Sequence, residues 1–346
     1  MTRILAAAIL ALASASTGAR ADVWQRALAP APADAANDTY LRELREGDEH
    51  VGLATTHSGS LATIREQVQR AIQAYRNAAA ARPSAAEPYF RIGSVLWSFY
   101  LETCDADPRY STRSPLADCS APDAINTAIA EQAIQAWNTF EAKAPLDPRL
   151  GSGLGGLLFS RAIVHTKLAT RPHLEAAARD YEAILQRSDG KGEVLTLVWG
   201  NLAETYMMLG RLDDAIDTYK ETLRHGARIS TWYGLAVALD RDGRAALARD
   251  AIVAQRLAGY RLFREEVESV QAFYVPRGEV FYYYALAEES FGRIDEALDY
   301  WNRFIASGAH PQYQPRAREH IDALLAKKRA SGAPPRPPSD LYLDLR

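Results

Sequence analysis

A chain of 346 residues with a formal charge of −3 and no concentrated run of Lys or Arg lacks the basic face that nucleic-acid binders present, so that class is disfavoured. Its length exceeds what one ordinary compact core fills. Two cysteines alone are too few ligands for a structural zinc.

The first stretch, MTRILAAAILALASASTGARA, has an early Arg3, an apolar run from Ile4 to Leu12, and small residues at Ala19 and Ala21. That order predicts a signal peptide over 1–21 cut after Ala21; an uncleaved N-terminal helix is the alternative. The apolar run is too short to cross a bilayer core of ~30 Å, and no cysteine stands near the cut to accept lipid. Removing Arg3 and Arg20 takes the formal charge from −3 to −5. The expectation is a periplasmic or secreted protein with no transmembrane segment in the mature chain, and the preference for Ala and Arg over Lys suggests a GC-rich bacterial source.

Residues 22–37, rich in Ala, Pro and Asp, read as a flexible lead. Asp38 is placed to cap a short helix through Tyr40, Leu41 and Leu44 that stops near Gly47, and a loop with His57, Gly59 and Ser60 follows. Leu61, Ile64, Val68, Ala71, Ile72 and Tyr75 then recur at helical spacing until Pro83. The next helix carries Tyr89, Ile92, Gly93 and Leu96, with Gly93 letting a partner helix approach closely. Before that partner, which holds Ala133, Trp137 and Phe140, an insertion near 102–122 intervenes. It contains Cys104 and Cys119, most simply a disulfide that closes the inserted loop, with a free thiol pair as the alternative. A further pair follows, through Leu157, Phe159, Ile163 and Leu168 and then Leu174, Ala177, Ala178, Tyr181 and Leu185.

The clearest unit is WGNLAETYMMLGRLDDAIDTYKETL, residues 199–223, with Trp199, Leu202, Ala203, Tyr206, Gly210, Ala215, Tyr219 and Leu223 at the key spacings. Trp232, Leu235, Ala236, Leu239, Gly243, Ala248 and Ile252 repeat it 33 residues on. After an insertion near 260–278, which reads as an extra helix and an exposed turn at Pro276 to Gly278, the pattern returns as Phe281, Tyr284, Ala285, Gly292, Ala297, Trp301 and Ile305. There GRIDEA echoes the GRLDDA of 210–215. The pattern resembles the tetratricopeptide repeat. A final helix with a stripe at Ala317, Ile321 and Leu325 reads as a terminal cap, and the tail 329–346 is Pro-rich.

That resemblance implies an all-α fold, a right-handed superhelix or solenoid of stacked antiparallel helix pairs spanning 38–328, with a groove lined by first helices. First-helix residues not spent on the motif are then candidates for partner contact: Phe90, Trp97, Glu204, Met207, Met208, Tyr233, Asp240, Tyr282, Tyr283 and Glu289. Aromatics and Met suit peptide recognition. The slots where related proteins clamp a C-terminal carboxylate with Lys and Asn hold Gly200, Glu204, Tyr233 and Val237 here, which argues against that clamp.

Catalytic signatures are sparse. GSGLGG at 151–156 matches a dinucleotide fingerprint in letters but follows no predicted strand. No HExxH, GxSxG or P-loop occurs, and the histidines are scattered. The reading is a non-enzymatic scaffold that binds a protein or peptide in the bacterial envelope, with no metal and no cofactor. The alternatives are a small-molecule or glycan-binding accessory acting through its insertions, or an enzyme with a site outside known motifs.

Overall fold

The computed structural model describes residues 35–56, 60–101, 114–117, 125–151, 156–187, 193–226, 228–268 and 277–331. The segment expected to be a signal, both cysteines, residues 152–155 and the Pro-rich tail beyond 331 lie outside them. Among the described residues the regular elements are helices, and no strand occurs. The chain divides into two compact units, 1–88 and 89–346.

The first unit holds α1 (Ala35–Thr56) and α2 (Leu61–Ala81), packed along their lengths. Helix α1 begins within the expected lead and runs straight through Gly47, which corrects the expected stop there. A glycine inside a helix costs ~1 kcal/mol, but a Cβ at Gly47 would overlap the Tyr75 ring. The residue is kept for close approach, and Tyr75 completes the contact by donating its hydroxyl to Asp48, 2.8 Å away. Ser60 caps α2 by accepting from the Thr63 amide.

The second unit is a succession of helices, each packed on the next. They are α3 (Glu87–Leu96), α4 (Thr127–Lys143), α5 (Leu157–Leu168), α6 (Arg171–Arg187), α7 (Glu193–Met208), α8 (Leu212–Arg224), α9 (Ile229–Arg241), α10 (Ala245–Ala254), α11 (Arg256–Glu268), α12 (Arg277–Ser290), α13 (Ile294–Ser307) and α14 (Gln314–Ser331). The pairs α5–α6, α7–α8, α9–α10 and α12–α13 make the densest contacts, and α6–α7 and α8–α9 join pair to pair. This is an all-α solenoid of helix pairs like those of tetratricopeptide repeats.

Three pairs close through one turn geometry. Gly210, Gly243 and Gly292 adopt φ of 76°, 80° and 76°, the left-handed region that favours glycine. Each turn bonds back twice. The amides of Gly210 and Arg211 donate to the Met207 and Tyr206 carbonyls, those of Gly243 and Arg244 to Asp240 and Leu239, and those of Gly292 and Arg293 to Glu289 and Glu288. These short-and-long pairs satisfy the last carbonyls of each first helix. The small residues Ala203, Ala215, Ala236, Ala248, Ala285 and Ala297 are wholly buried, as close packing of two helix axes requires.

The earlier pair α3–α4 is built on aromatics. A Cβ at Gly93 would overlap the Trp137 indole, and Phe90 packs on Phe140 with ring centroids 5.2 Å apart. The chain then turns as a single π-helical turn, Trp97–Leu101. The loosened carbonyls there are met from outside the helix. Ser114 donates its hydroxyl to Ser98 O at 2.9 Å, the Leu116 amide donates to Phe99 O, and Lys167 Nζ donates to Leu101 O at 3.1 Å.

Residues 260–268 of the insertion near 260–278 belong to α11, whose Tyr260 and Phe263 are buried between α9 and α12. Phe263 stacks on Tyr233 at 4.3 Å and 5°. Of the exposed turn expected at Pro276 to Gly278, Pro276 lies outside the described residues, while Arg277 and Gly278 open helix α12, where a Cβ on Gly278 would meet Ser307 and Ala309.

Candidate functional site

The first helices α7, α9 and α12 converge on one charged cluster. In α7, Glu204 Oε2 accepts from the hydroxyls of Tyr283 at 2.7 Å and Tyr219 at 3.3 Å, while Oε1 has no hydrogen-bond partner. Burial pushes the Glu204 carboxyl above the usual carboxylate range, and the nearby Glu279 carboxylate pushes it further, so the protonated form is favoured.

In α9, the buried Arg241 pairs with the buried Glu279 of α12. Its guanidinium lies between two rings, 4.5 Å from the Tyr282 centroid and 4.0 Å from that of Tyr313. It also reaches Met207 Sδ at 3.8 Å. Burial alone would lower its pKa; the Glu279 carboxylate more than compensates and holds the guanidinium charged.

Beside Arg241, Asp240 accepts from Tyr282 at 2.6 Å, from Arg316 Nη2 at 2.7 Å and from His320 Nε2 at 3.0 Å. Burial would raise this carboxyl, but the bonds from His320 and Arg316 outweigh it and keep Asp240 ionised. The other His320 nitrogen, Nδ1, bonds to Glu289 Oε2 at 2.9 Å. That same oxygen accepts from Trp301 Nε1 at 3.0 Å, and the imidazole stacks on the Trp301 ring at 4.6 Å and 14°. Donation from both nitrogens requires the imidazolium form. Burial opposes it, but the two carboxylates win and push His320 up to about 9.

The face expected to meet a partner is therefore met by the chain's own C-terminal segment. Tyr313, Arg316 and His320 come from the turn Pro311–Tyr313 and helix α14. Tyr313 also donates its hydroxyl to Met207 O at 2.7 Å, at the C-terminal end of α7. The expected stripe Ala317, Ile321 and Leu325 keeps Ala317 and is shifted by one position beyond it. Ala317, His320 and Leu324 are buried, whereas Leu325 is 41% exposed.

Of the residues read from sequence as partner-facing, Glu204, Met207, Tyr233, Tyr282 and Tyr283 are buried, which corrects their expected exposure. Motif spacing shows which first-helix positions are spare, but not that α11 covers Tyr233 and Tyr283 or that the C-terminal segment covers Met207 and Tyr282. Phe90, Trp97 and Met208 are half-buried and keep part of their surface open. Arg149 lies over the Phe90 ring at 4.2 Å. Asp240 and Glu289 are brought together across His320. Arg241, Glu279, Tyr313, Arg316 and His320 were not singled out from sequence; the available signal was a histidine on the apolar stripe of the last helix.

A second polar cluster lies in α4–α6. Arg161 donates to both oxygens of the buried Asp180 at 2.7 and 2.8 Å, and also reaches Asn138 and Glu141. One helical turn along α5, His165 Nδ1 meets His173 Nδ1 at 2.8 Å, and His173 Nε2 lies 3.2 Å from Glu131. No group of three or more metal-type ligands occurs among the described residues.

No protein-family model matches the chain, and no curated protein does. Among solved structures, one from a functional characterization of Pseudomonas aeruginosa pilF aligns over 85% of this chain and all of its own, at 13% identity and a TM-score of 0.42. The fold assignment rests on the helix pairs and their shared turn geometry.

Proposed function

We propose that the chain is a non-enzymatic tetratricopeptide-type adaptor that holds a protein or peptide partner in the bacterial cell envelope. The carrying observation is that the spare positions of three first helices assemble into one buried charged cluster that already accepts one helix, the chain's own α14. A cluster that holds one helical segment by charge, on a scaffold of stacked pairs, suits recognition of a helical segment. The order of charge, apolar run and small residues in 1–21 supports export, with a repeat domain over 38–328 and Cys104 paired with Cys119 in the mature protein. Phe90, Trp97 and Met208 extend the partner-facing surface beyond the charged cluster.

The test is affinity capture from bacterial envelope extract with the chain beginning at Asp22. One protein enriched by the wild type and lost with both Phe90→Ala and Met208→Ala is expected. Recovery indistinguishable from bare resin, or turnover of any substrate by the purified chain, overturns the reading.

A further inference from the structure

The cluster on α7, α9 and α12 is short of positive charge by itself. Arg241 is taken by Glu279 and Arg293 by Glu288, so Asp240 and Glu289 keep only neutral donors, the Tyr282 hydroxyl and the Trp301 N–H, from those helices and α13. Both missing cations arrive on the C-terminal segment, as Arg316 and His320. A third anchor, Tyr313, donates to the buried Met207 carbonyl at the end of α7, which also accepts from the Gly210 amide, and stacks against Arg241. The three stand at i, i+3 and i+7, one helical face.

Among its described residues the segment adds a short apolar contact: Tyr313, Ala317, His320 and Leu324 are buried, His320 stacks on Trp301, and a Lys328–Asp295 pair ties its far end. Its polar attachment is made of charge-assisted bonds, which a second segment carrying the same cations can replace one for one. The segment is also basic, with Arg316, Arg318, Lys327, Lys328 and Arg329 against Glu319 and Asp322.

We infer that this face is a receptor for a basic helical segment bearing a tyrosine followed by cations three and seven residues on, and that Tyr313–His320 is a resident copy of that ligand, which a partner segment of the same chemistry displaces. The inference rests on the adaptor reading and names the partner's chemistry.

The probe is a fluorescein-labelled peptide of residues 308–331, added in trans to the full chain and to its Arg316→Ala/His320→Ala variant, with anisotropy as the readout. Binding to the double variant at least tenfold tighter than to the wild type is expected, with loss of that binding on adding Asp240→Asn. Equal affinity for both proteins, or for a scrambled peptide of the same composition, overturns it. Should the double variant not fold, hydrogen exchange on the wild type decides. Excess peptide is expected to speed exchange across α14 while leaving α12 and α13 protected, and unchanged α14 exchange overturns the inference. Failed envelope capture with the peptide still bound removes the adaptor reading alone; the reverse result removes the receptor chemistry alone.

Discussion

His320 Nε2 lies 3.0 Å from Asp240 Oδ2, although the two residues are 80 positions apart and belong to the last helix and the middle of the repeat stack. The contact makes docking of α14 dependent on pH. His320 is raised to about 9 against an unfolded value near 6.5, so its contribution is fully present below about 6.5 and is lost as pH rises through 9. Asp240 is depressed, so its contribution persists down to acid pH and adds nothing to the alkaline limb. The wild type is expected to lose up to about 3 kcal/mol between pH 6.5 and 9.5 from this group, and His320→Gln to lack that slope. Parallel melting curves for the two proteins across that range would refute the assignment.

His165 predicts the opposite limb. Burial and then the neighbouring His173 push it down to about 3, so the unfolded chain takes up a proton below pH 6.5 that the folded chain refuses. Stability falls with acid by at most about 1.4 kcal/mol per pH unit over that window. His165→Gln keeps a polar partner for His173 without the titration. Thermal melts at pH 6.5 and 4.5 are expected to show a smaller acid loss for the variant than for the wild type.

Two glycines in the same pair of repeats separate two kinds of cost. Gly234 has ordinary helical backbone, yet a Cβ there would run into the Tyr219 ring. Gly234→Ala is therefore expected to cost ~1–3 kcal/mol by overpacking. Gly210 has open space around it but a φ of 76°, so Gly210→Ala is expected to cost ~1–2 kcal/mol through backbone strain alone. Adding Tyr219→Ala distinguishes them. It should reduce the extra cost of Gly234→Ala and leave that of Gly210→Ala unchanged, as read from urea unfolding.

The same contrast marks what the sequence disclosed. Gly210, Gly243 and Gly292, with their paired buried alanines, carry a backbone requirement that one residue type satisfies, so their spacing identified three helix pairs and their turns. Gly47 carries a packing requirement instead, and its partner Tyr75 is 28 residues away, so local sequence alone resembles a helix stop. The candidate site was half legible. Asp240 and Glu289 stood out as spare first-helix positions, but what they bind is a histidine placed where the last helix needed an apolar residue. Long-range charge pairing leaves no periodic trace, and the Arg161–Asp180 pair is silent in the sequence for the same reason.

That last pair supports an asymmetric prediction. Arg161 serves three partners, Asp180, Asn138 and Glu141, and ties α4 and α6 to α5. Arg161→Leu leaves the buried Asp180 carboxylate without its cation, for which a loss of ~3–5 kcal/mol is expected. Asp180→Asn removes one acceptor charge, while Glu141, at 33% side-chain exposure, remains to hold the guanidinium near solvent. Its loss is expected to be nearer ~1.5–3 kcal/mol, the range for a hydrogen bond to a charged group. The double variant Arg161→Leu/Asp180→Leu removes both charges and is expected to recover part of the single Arg161→Leu loss. Urea unfolding of the four proteins gives the ranking, and a double variant less stable than Arg161→Leu would show that the pair is not what fastens these helices.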